Sequence, residues 1–585
     1  MRSLKFLLVT SLLGFLFSSN GNAQQKLVNV APGYGSLNDS VAAEGPATYV
    51  LQAGGWYGLN APLQTPTTGP VTIIGTTPAA GQMPAMIQTG YTSSGTTFTY
   101  MFKTYNDLTL KHVFLVNADL NGGWGSGVFY VAGPGRIVVD SIVADPVANH
   151  YFLESYVKNH LQVDIFVTNS LFIKSGLTTS NSDGYFFANV TWDTLYFENN
   201  TVVNPNQQFI KGPNAENDTV GFYWINHNTF FFLKNNFKSD FGDSNTYITN
   251  NLLWMGGFVP EAFRESSPDG YVGNSMHGLI LDDTLLYENS LPSGRKHFVE
   301  YNFNYRAQGC FDLVNWLNSQ NTSPWNGTKY YLPNFIPSIA WFDSSRETRM
   351  YNTKSAFPYF FCNNNVCDTN AEIKANDPQW VDQKIYTLTH SAVVWADSVV
   401  YQLYGGATTN SALWPNFFYY TDTSASYPTT WPRFNGAYTN PTLMTASIEK
   451  LPLGDLNWFP NQKAIWKANQ QAIMQHILAE NESQMNLTAV KNLNGGVPAT
   501  FALAQNYPNP FNPSTEISYS IPKNGMVSLK VFNVLGQEVA TLVNEEQNAG
   551  NHVVSFDASK LASGIYFYTL RQEGNSITRK MLLLK

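Results

Sequence analysis

The sequence predicts an all-β protein in which a right-handed parallel β-helix is followed by a small β-sandwich. Three observations support this fold class. A degenerate repeat of short apolar segments, each interrupted by Asn or Asp, runs through residues 107–255. No segment of that region keeps a 3.6-residue apolar period long enough for paired helices. From residue 515 onward, apolar and polar residues alternate in six short runs separated by Pro, Gly and Asn, as is typical of antiparallel strands.

The chain begins with a predicted secretory signal peptide, residues 1–23. Arg2 and Lys5 supply positive charge, residues 6–17 form a short apolar run, and small residues precede a cleavage site after Ala23. A buried helix is the alternative interpretation of the apolar run. No later stretch reaches the roughly 18 apolar residues that a membrane helix needs. We therefore expect the mature protein to lack a transmembrane span.

The repeat aligns five polar residues at spacings of 29, 31, 28 and 23 residues: Asp140, Asn169, Asn200, Asn228 and Asn251. A poorer, earlier copy is centred on His112. A period of this length, made of short β-branched and aromatic runs, predicts a stacked solenoid. Asn tolerates left-handed backbone angles, and stacked coils bring equivalent residues to within about 4.8 Å. We interpret the five residues as a structural ladder rather than a catalytic set.

The composition indicates a folded, strand-rich protein. Of the 585 residues, 43% are hydrophobic and 15% aromatic, whereas only 13% are charged. The formal net charge is −8, and Lys and Arg form no cluster. Binding to nucleic-acid phosphates needs clustered positive charge, so the sequence argues against a nucleic-acid partner.

The start of the mature chain carries a resemblance to a known family. Residues 33–58, GYGSLNDSVAAEGPATYVLQAGGWYG, resemble the opening of pectate-lyase-like β-helix proteins. The resemblance implies a short helix with Leu37, Val41 and Ala42 on one face, which caps the apolar end of the solenoid. It also implies a first-coil strand at residues 49–51. A cap is needed because an open end exposes core and unpaired strand edges.

The repeat fades over residues 256–440, which are rich in Trp, Tyr, Phe, Pro and Asn. We expect further coils with long loops here, whose aromatic rings either stack on sugar faces or fill the core. Residues 440–460 resemble a segment that closes the β-helix in many exported proteins, and we assign them to the last coil. Residues 481–500 are polar and contain Gly-Gly and Pro, which predicts a linker.

Residues 461–480 predict an amphipathic closing helix. The apolar face that the spacing indicates comprises Ala464, Ile465, Ala468, Ala472, Ile473 and Ile477.

The search for catalytic residues ends without an assignment. A polysaccharide lyase needs a basic residue and often calcium held by carboxylates, whereas an inverting hydrolase needs paired carboxylates. The nearest candidates are Asp282 and Asp283, with a histidine and three arginines around them: His277, Arg264, Arg295 and Arg306. Adjacent Asp residues on a strand point to opposite faces, so this pair does not by itself form a dyad. Residues 265–270, ESSPDG, form either an acidic loop or an ordinary turn, and we favour the turn.

The motifs of known families do not resolve the question. The NTD, GHG and RIK motifs expected of polygalacturonases are absent. We therefore name no catalytic residue and no cofactor. Calcium is the metal that we would expect at a lyase site.

Three cysteines are present, as an exported protein permits. Cys362 and Cys367 flank the sequence NNNV and predict a disulfide that staples a local loop, leaving Cys310 unpaired. A metal site is the weaker alternative, because no His or Cys pair lies nearby at ligand spacing.

The C-terminal residues 501–585 predict an immunoglobulin-like β-sandwich from their six strand-like runs. They closely resemble the type A C-terminal sorting domain of the type IX secretion system. The matching segments are NYPNPFNPST (506–515), VFNVLGQEV (531–539), LASGIYFYTL (561–570) and RKMLLLK (579–585). The resemblance implies export through the periplasm and the outer membrane, with the secretion machinery as partner. It places the mature protein at the cell surface or in the medium.

Together these observations favour an exported β-helix domain, residues 24–480, that binds or degrades polysaccharide. If it is an enzyme, it is a lyase or a glycoside hydrolase. The alternative is a non-catalytic adhesin or structural stalk. Fold analogy supports the first hypothesis, and the missing catalytic set supports the second.

Overall fold

The computed structural model of the chain forms two compact units, Met1–Gln475 and His476–Lys585. The structure describes residues 25–79, 81–145, 147, 151–154, 163–175, 185–188, 193–205, 208–211, 221–233, 238–240, 245–256, 280–282, 296–305, 307, 309, 312, 359–361, 366–367, 377–404, 434–492, 501–503, 506, 511 and 513–583. The predicted signal peptide lies outside these residues.

The first unit is a parallel β-helix whose coils each add one strand to each of three sheets, here called A, B and C, with strands numbered in chain order. In the described part of the chain, sheet A contains β1 (Leu27–Val30), β2 (Thr48–Leu51), β5 (Val71–Gly75), β8 (Leu108–Lys111), β11 (Gly135–Asp140), β14 (Val163–Thr168), β17 (Thr194–Glu198), β20 (Phe222–Asn226), β23 (Asn245–Thr249), β26 (Lys296–Glu300) and β28 (Tyr359–Phe361).

Sheet B follows sheet A in each coil. Its described strands are β3 (Trp56–Gly58), β6 (Ala85–Gln88), β9 (Val113–Val116), β12 (Val143–Ala144), β15 (Leu171–Ser175), β18 (Thr201–Pro205), β21 (Thr229–Phe231), β24 (Leu252–Trp254), β27 (Phe303–Tyr305) and β29 (Val366–Cys367). Sheet C completes the coil with β4 (Leu63–Gln64), β7 (Tyr100–Thr104), β10 (Gly127–Val131), β13 (Tyr151–Glu154), β16 (Tyr185–Ala188), β19 (Gln208–Lys211), β22 (Lys238–Asp240) and β25 (Ile280–Asp282).

The corner between sheets A and B explains the sequence repeat. In seven successive coils, from β8–β9 to β26–β27, one residue adopts a left-handed conformation with φ between 53° and 58°: His112, Ser141, Asn169, Asn199, His227, Asn250 and Tyr301. The residue after it points into the turn. Asn200, Asn228, Asn251 and Asn302 occupy that second position and are fully buried. Each of the first three donates its backbone N–H and its side-chain amide to the next side-chain oxygen, at 2.9–3.1 Å.

Two of the five predicted ladder residues lie outside this column. Asp140 pairs in register with Thr168, so it is the last residue of its sheet A strand. Asn169 holds the left-handed position, and the ladder position in its coil is Ser170, which accepts a hydrogen bond from the Ile142 N–H. The predicted ladder residue was therefore two positions too early in the coil of Asp140 and one position too early in the coil of Asn169. In these coils Ile142 and Ser170 occupy the ladder position in place of the expected Asn.

The interior of the solenoid is one continuous hydrophobic core from Val30 to Val299. Aromatic rings of successive coils pack against each other inside it, and Phe152, Phe186, Phe197 and Phe209 have neighbouring centroids 4.7–5.9 Å apart. Helix α1 (Ser36–Glu44) buries Leu37 and Val41 in the same core, whereas Ala42 is exposed. The predicted apolar face of this helix is therefore narrower by one residue.

Beyond residue 256, strands β25 to β29 continue the three sheets. Helix α2 (Lys384–Tyr404) lies where further coils and long loops were expected. Together with residues 434–459, here called the strap, part of α2 packs on the outer face of sheet B in a second hydrophobic cluster. That cluster includes Phe231, Trp254 and Trp380.

The strap is not the last coil that the sequence analysis assigned to residues 440–460. It contains two 3₁₀ turns, Leu443–Thr445 and Leu456–Trp458, and no strand. It runs backwards along the A–B corner: Ile448 N–H donates to Asn250 Oδ1, whereas Asn457 Nδ2 donates to the Asn199 carbonyl two coils earlier.

Helix α3 (Pro460–Asn492) follows the strap and extends twelve residues past its predicted end, into the predicted linker. Its buried face contains two of the six predicted residues, Ile473 and Ile477, but not the other four. Trp466, Gln470 and Ile473 are buried, whereas Ile465 is 55% exposed and Ala464, Ala468 and Ala472 are exposed. The bulky indole and the hydrogen-bonding amide determine the packed face, because alanines offer little surface to bury.

The second unit contains two antiparallel sheets around one core. The smaller sheet has β30 (Ala502–Leu503), β31 (Ser514–Ile521) and β34 (Gly550–Asp557), and the larger has β33 (Glu538–Gln547), β32 (Gly525–Asn533), β35 (Gly564–Gln572) and β36 (Asn575–Leu583). Two described residues that precede β31 contact this core and its strands. The Asn506 N–H donates to the Tyr568 hydroxyl at 2.6 Å, and Phe511 is buried in the core.

Candidate functional site

The outer face of sheet A carries a column of aromatic rings that is covered. Phe166, Tyr196, Trp224, Tyr247 and Phe298 have ring centroids 5.8–6.2 Å apart along the solenoid, and each is at most 3% exposed. Gln470 of helix α3 donates to Glu198 at 2.8 Å and to the Tyr196 hydroxyl at 3.2 Å. Helix α3 therefore lies on this column, so the rings are not a surface for sugar.

Glu198 is the polar centre beneath helix α3. Its carboxylate accepts hydrogen bonds from Trp224 Nε1 at 2.9 Å, from Asn226 Nδ2 at 2.7 Å and from the Tyr196 hydroxyl. Burial raises the pKa of Glu198, and these donors oppose the rise. Four donors around one buried carboxylate satisfy it fully, which indicates a structural role.

The strap seals the A–B corner through a second buried polar cluster. His227 Nε2 lies 3.2 Å from Glu449 Oε2, and Asn250 Nδ2 donates to the same carboxylate at 3.1 Å. Asp455 accepts from the Thr201 hydroxyl at 2.7 Å and from the Asn457 N–H at 2.8 Å. Burial raises the pKa of Asp455 to about 7, although its hydrogen bonds and the nearby Lys463 act in the opposite direction.

The outer face of sheet C presents aromatic and charged side chains that reach solvent. Tyr100, Lys103, Tyr105 and Tyr130 are half-buried and lie outside the solenoid core; with Glu154 they form what we call the sheet C strip. The Tyr100 and Tyr130 ring centroids are 4.9 Å apart. Tyr100 donates its hydroxyl to the buried Glu154 carboxylate at 2.5 Å. The carboxylate thus fixes the orientation of the Tyr100 ring.

Lys103 is the cation of the strip. Its Nζ lies 5.2 Å from the Tyr105 ring centroid and 5.7 Å from that of Tyr130, within the range of cation–π attraction. The hydrogen bond with the Tyr105 side chain raises the pKa of Lys103. The ammonium is therefore charged at neutral pH and suited to pairing with an anion.

Register aligns the strip along the solenoid axis. Gln64 pairs with Lys103, Lys103 with Tyr130, and Tyr130 with Glu154, on four successive strands of sheet C. Neighbouring strands are about 4.8 Å apart, so Gln64, Lys103 and Tyr130 form a row of rungs that an extended chain can follow, while Glu154 at the end of the row is buried.

The catalytic candidates of the sequence analysis fall almost entirely outside the described residues. Asp282 is the exception: it ends β25 on sheet C and pairs in register with Asp240 of β22. The candidates that lie outside the described residues are Asp283, His277, Arg264, Arg295, Arg306 and residues 265–270. Cys310 and Cys362 also lie outside, and Cys367 is on β29, so the disulfide stays a prediction.

Sequence reasoning missed the sheet C strip. Its members come from three coils, and Tyr100 and Glu154 are 54 residues apart. The one local signal is the Lys103-x-Tyr105 spacing, which brings a cation and a phenol to adjacent places at a strand end.

The described residues contain no group of three or more His, Cys, Asp or Glu side chains placed to hold a metal ion. Within the same residues, no helix combines the length and apolar character needed to span a membrane.

Comparison with known proteins identifies the C-terminal region. Residues 505–584 match the family described as secretion system C-terminal sorting domain, which confirms the predicted type IX sorting domain. The chain is therefore exported to the cell surface or the medium. No curated protein matches the chain significantly.

A solved structure described as that of a PL6 family alginate lyase is among the matches, with 16% identity and a TM-score of 0.30. The match covers 47% of this chain and 39% of the lyase, so the chain spans less than half of that protein. A likeness of this size says nothing about activity.

Proposed function

We propose that the exported protein binds an acidic polysaccharide along the outer face of sheet C. The observation that supports this proposal is the sheet C strip, in which two tyrosine rings and a lysine occupy a solvent-contacting face of the solenoid. On sheet A, by contrast, the aromatic column is buried.

The chemistry of the strip matches such a ligand. Sugar rings present flat C–H faces, which pack against phenol rings such as those of Tyr100 and Tyr130. The Lys103 ammonium supplies a charged partner for a sugar carboxylate. The rungs repeat along the solenoid axis, so we orient the bound chain along that axis. Since Lys103 stays protonated at neutral pH, we assign it to binding rather than to proton abstraction.

The proposal includes the finer architecture around this face. Residues 1–23 act as the signal peptide, helix α1 closes the apolar end of the solenoid, and the C-terminal unit is an immunoglobulin-like sandwich that the secretion machinery recognises. Leu37 and Val41 in the core support the capping role, and the two antiparallel sheets support the sandwich.

The test is retention of the purified exported protein on polygalacturonate, alginate and a neutral cellulose ether, with affinities from calorimetry. Lys103→Gln should weaken binding to both polyanions by roughly ten- to a hundredfold, because one charge-assisted contact is worth roughly 1.5–3 kcal/mol. Lys111→Gln is the matched control, since Lys111 is a half-buried lysine on sheet A. Absorbance near 235 nm and reducing ends are followed in the same samples to detect cleavage.

No retention on either polyanion, or equal losses for the two lysine variants, would contradict the proposal.

A further inference from the structure

A groove of about 570 Å³ lies between helix α1 and the first coil. Its base includes the core residues Val41 and Leu63, and its rim includes the exposed side chains of Asn60, Gln64 and Thr67. A volume of a few hundred Å³ with an apolar base and a few polar groups is typical of small-ligand sites. We call this feature the cap groove.

The rim of the cap groove is held in place by hydrogen bonds. Asn38 Nδ2 donates to the Ala61 carbonyl at 2.9 Å, and the Asn60 N–H donates to Asn38 Oδ1 at 3.2 Å. Thr65 Oγ1 accepts from the Tyr105 N–H at 2.8 Å, which fixes the opposite wall. The groove is thus formed before any ligand arrives, so binding there need not order a loop.

The cap groove is continuous with the sheet C strip. Tyr105 lines the groove, and its ring centroid lies 5.2 Å from the Lys103 ammonium of the strip. Gln64 also lines the groove and is the register partner of Lys103. A chain that follows the strip towards the start of the solenoid therefore reaches the groove at the next rung.

The two regions differ in charge. The strip offers the half-buried cation Lys103, and its acid, Glu154, is buried and accepts from Tyr100. The charged residue among those lining the groove is Asp39, an exposed acid. A sugar carboxylate placed there would face this negative charge, but the hydroxyl groups of an uncharged sugar can pair with amides, threonine and phenol alike.

We infer that the cap groove is a second subsite, which binds an uncharged sugar of the same polysaccharide chain whose acidic sugar binds at Lys103. This inference rests on the proposed function and narrows it: the preferred ligand is a mixed polymer of acidic and neutral sugars rather than a polymer of uronate alone.

Ala42 and Ala43 provide a matched pair of variants for the test. Both are exposed on helix α1, but only Ala42 lines the groove. Ala42→Trp places an indole in the groove, and Ala43→Trp places the same indole beside it. Binding of the full-length exported protein to gellan, which mixes uronate with neutral sugars, is compared with binding to polygalacturonate.

The wild-type protein should bind gellan more tightly than polygalacturonate. Ala42→Trp should weaken gellan binding about tenfold, the loss of roughly 1.4 kcal/mol of contacts, and leave polygalacturonate binding unchanged. Ala43→Trp should change neither, and thermal midpoints of both variants should equal that of the wild type, which shows that they fold.

The inference is overturned if gellan binds no more tightly than polygalacturonate, if Ala42→Trp leaves gellan binding intact, or if it weakens both polymers equally. A failure of the proposed function looks different: in that case Lys103→Gln leaves binding to both polymers unchanged.

Discussion

Sheets A and C of the same solenoid each carry a row of aromatic rings on the outside. The row on sheet A is buried, whereas the row on sheet C reaches solvent. On sheet A, Tyr196 and Trp224 are 1% exposed, and Gln470 of helix α3 bonds to the carboxylate between them. On sheet C, Tyr100 and Tyr130 reach solvent beside Lys103. The rings alone do not mark a sugar site; what covers them decides their role.

The strap and helix α3 cause this difference in solvent exposure. After the last described coil, the strap and the start of helix α3 fold back over the A–B corner and the sheet A column. They supply donors for the Asn199 carbonyl and for the buried Glu198 carboxylate. Residues that satisfy each other in this way stabilise the solenoid, whereas the sheet C strip keeps surface for a ligand.

The sharpest contrast is between two single substitutions. Trp224→Ala should lower the free energy of unfolding of the solenoid by about 3–5 kcal/mol, because it opens a cavity under helix α3 and removes a donor to Glu198. Tyr130→Ala should cost less than about 1 kcal/mol of stability, since the ring is half-buried, but should weaken polyanion binding. Urea unfolding and calorimetry measure the two effects, and equal stability losses would break the comparison.

The ladder should contribute strongly to stability. Asn228→Ala leaves the Asn200 N–H and the Asn200 side-chain amide without their acceptor, and the Phe197 carbonyl without a donor. Buried unsatisfied groups cost about 1–3 kcal/mol each, so we expect a total loss near 3 kcal/mol in urea unfolding. Asn121→Ala, on an exposed turn, is the control and should change little. A loss for Asn228→Ala as small as the control would mean that the ladder is dispensable.

The strap should make stability depend on pH. The pKa of Asp455 is about 7 in the folded protein against 3.8 for an ordinary Asp, so the folded state holds the proton more tightly. Its contribution is fully present below pH 4 and is lost as the pH rises towards 7. Between pH 5 and pH 7 the wild type should lose about 2 kcal/mol more than Asp455→Asn, which cannot ionise. Parallel pH dependences in urea unfolding would exclude this role.

The smallest effect should come from the strip itself. Tyr100→Phe removes the hydroxyl that Glu154 accepts and keeps the ring. We expect the free energy of unfolding to fall by about 1 kcal/mol and the affinity for polyanions to fall, because the ring loses the hydrogen bond that fixes its orientation. Tyr34→Phe, an exposed tyrosine, is the control. A stable variant with unchanged affinity would show that the anchor is not needed.

The repeat could be predicted from the sequence because each coil contains the same short local pattern, an apolar run interrupted by Asn or Asp. Asn200, Asn228 and Asn251 stack in a column because each directly follows the left-handed corner residue of its coil. Asn302 was missed because 51 residues separate it from Asn251. Asp140 and Asn169 were misplaced because their coils put Ile142 and Ser170 at the ladder position.

The strap, helix α2 and the sheet C strip could not be predicted in the same way. The strap bonds to residues about 200–260 positions earlier, such as Asn199 and Asn250. The strip joins residues from three coils, and its exposure depends on which sheet the returning chain covers. Neither relation leaves a periodic trace in the sequence.

The most direct test of the central claim is hydroxyl-radical footprinting of the full-length exported protein, with and without saturating polygalacturonate. Tyr100 and Tyr130 should be oxidised in the free protein and protected by the polymer, while Tyr196 and Trp224 should stay unreactive in both samples. If saturation leaves oxidation of Tyr100 and Tyr130 unchanged and protects other tyrosines instead, the sheet C strip is not the binding face.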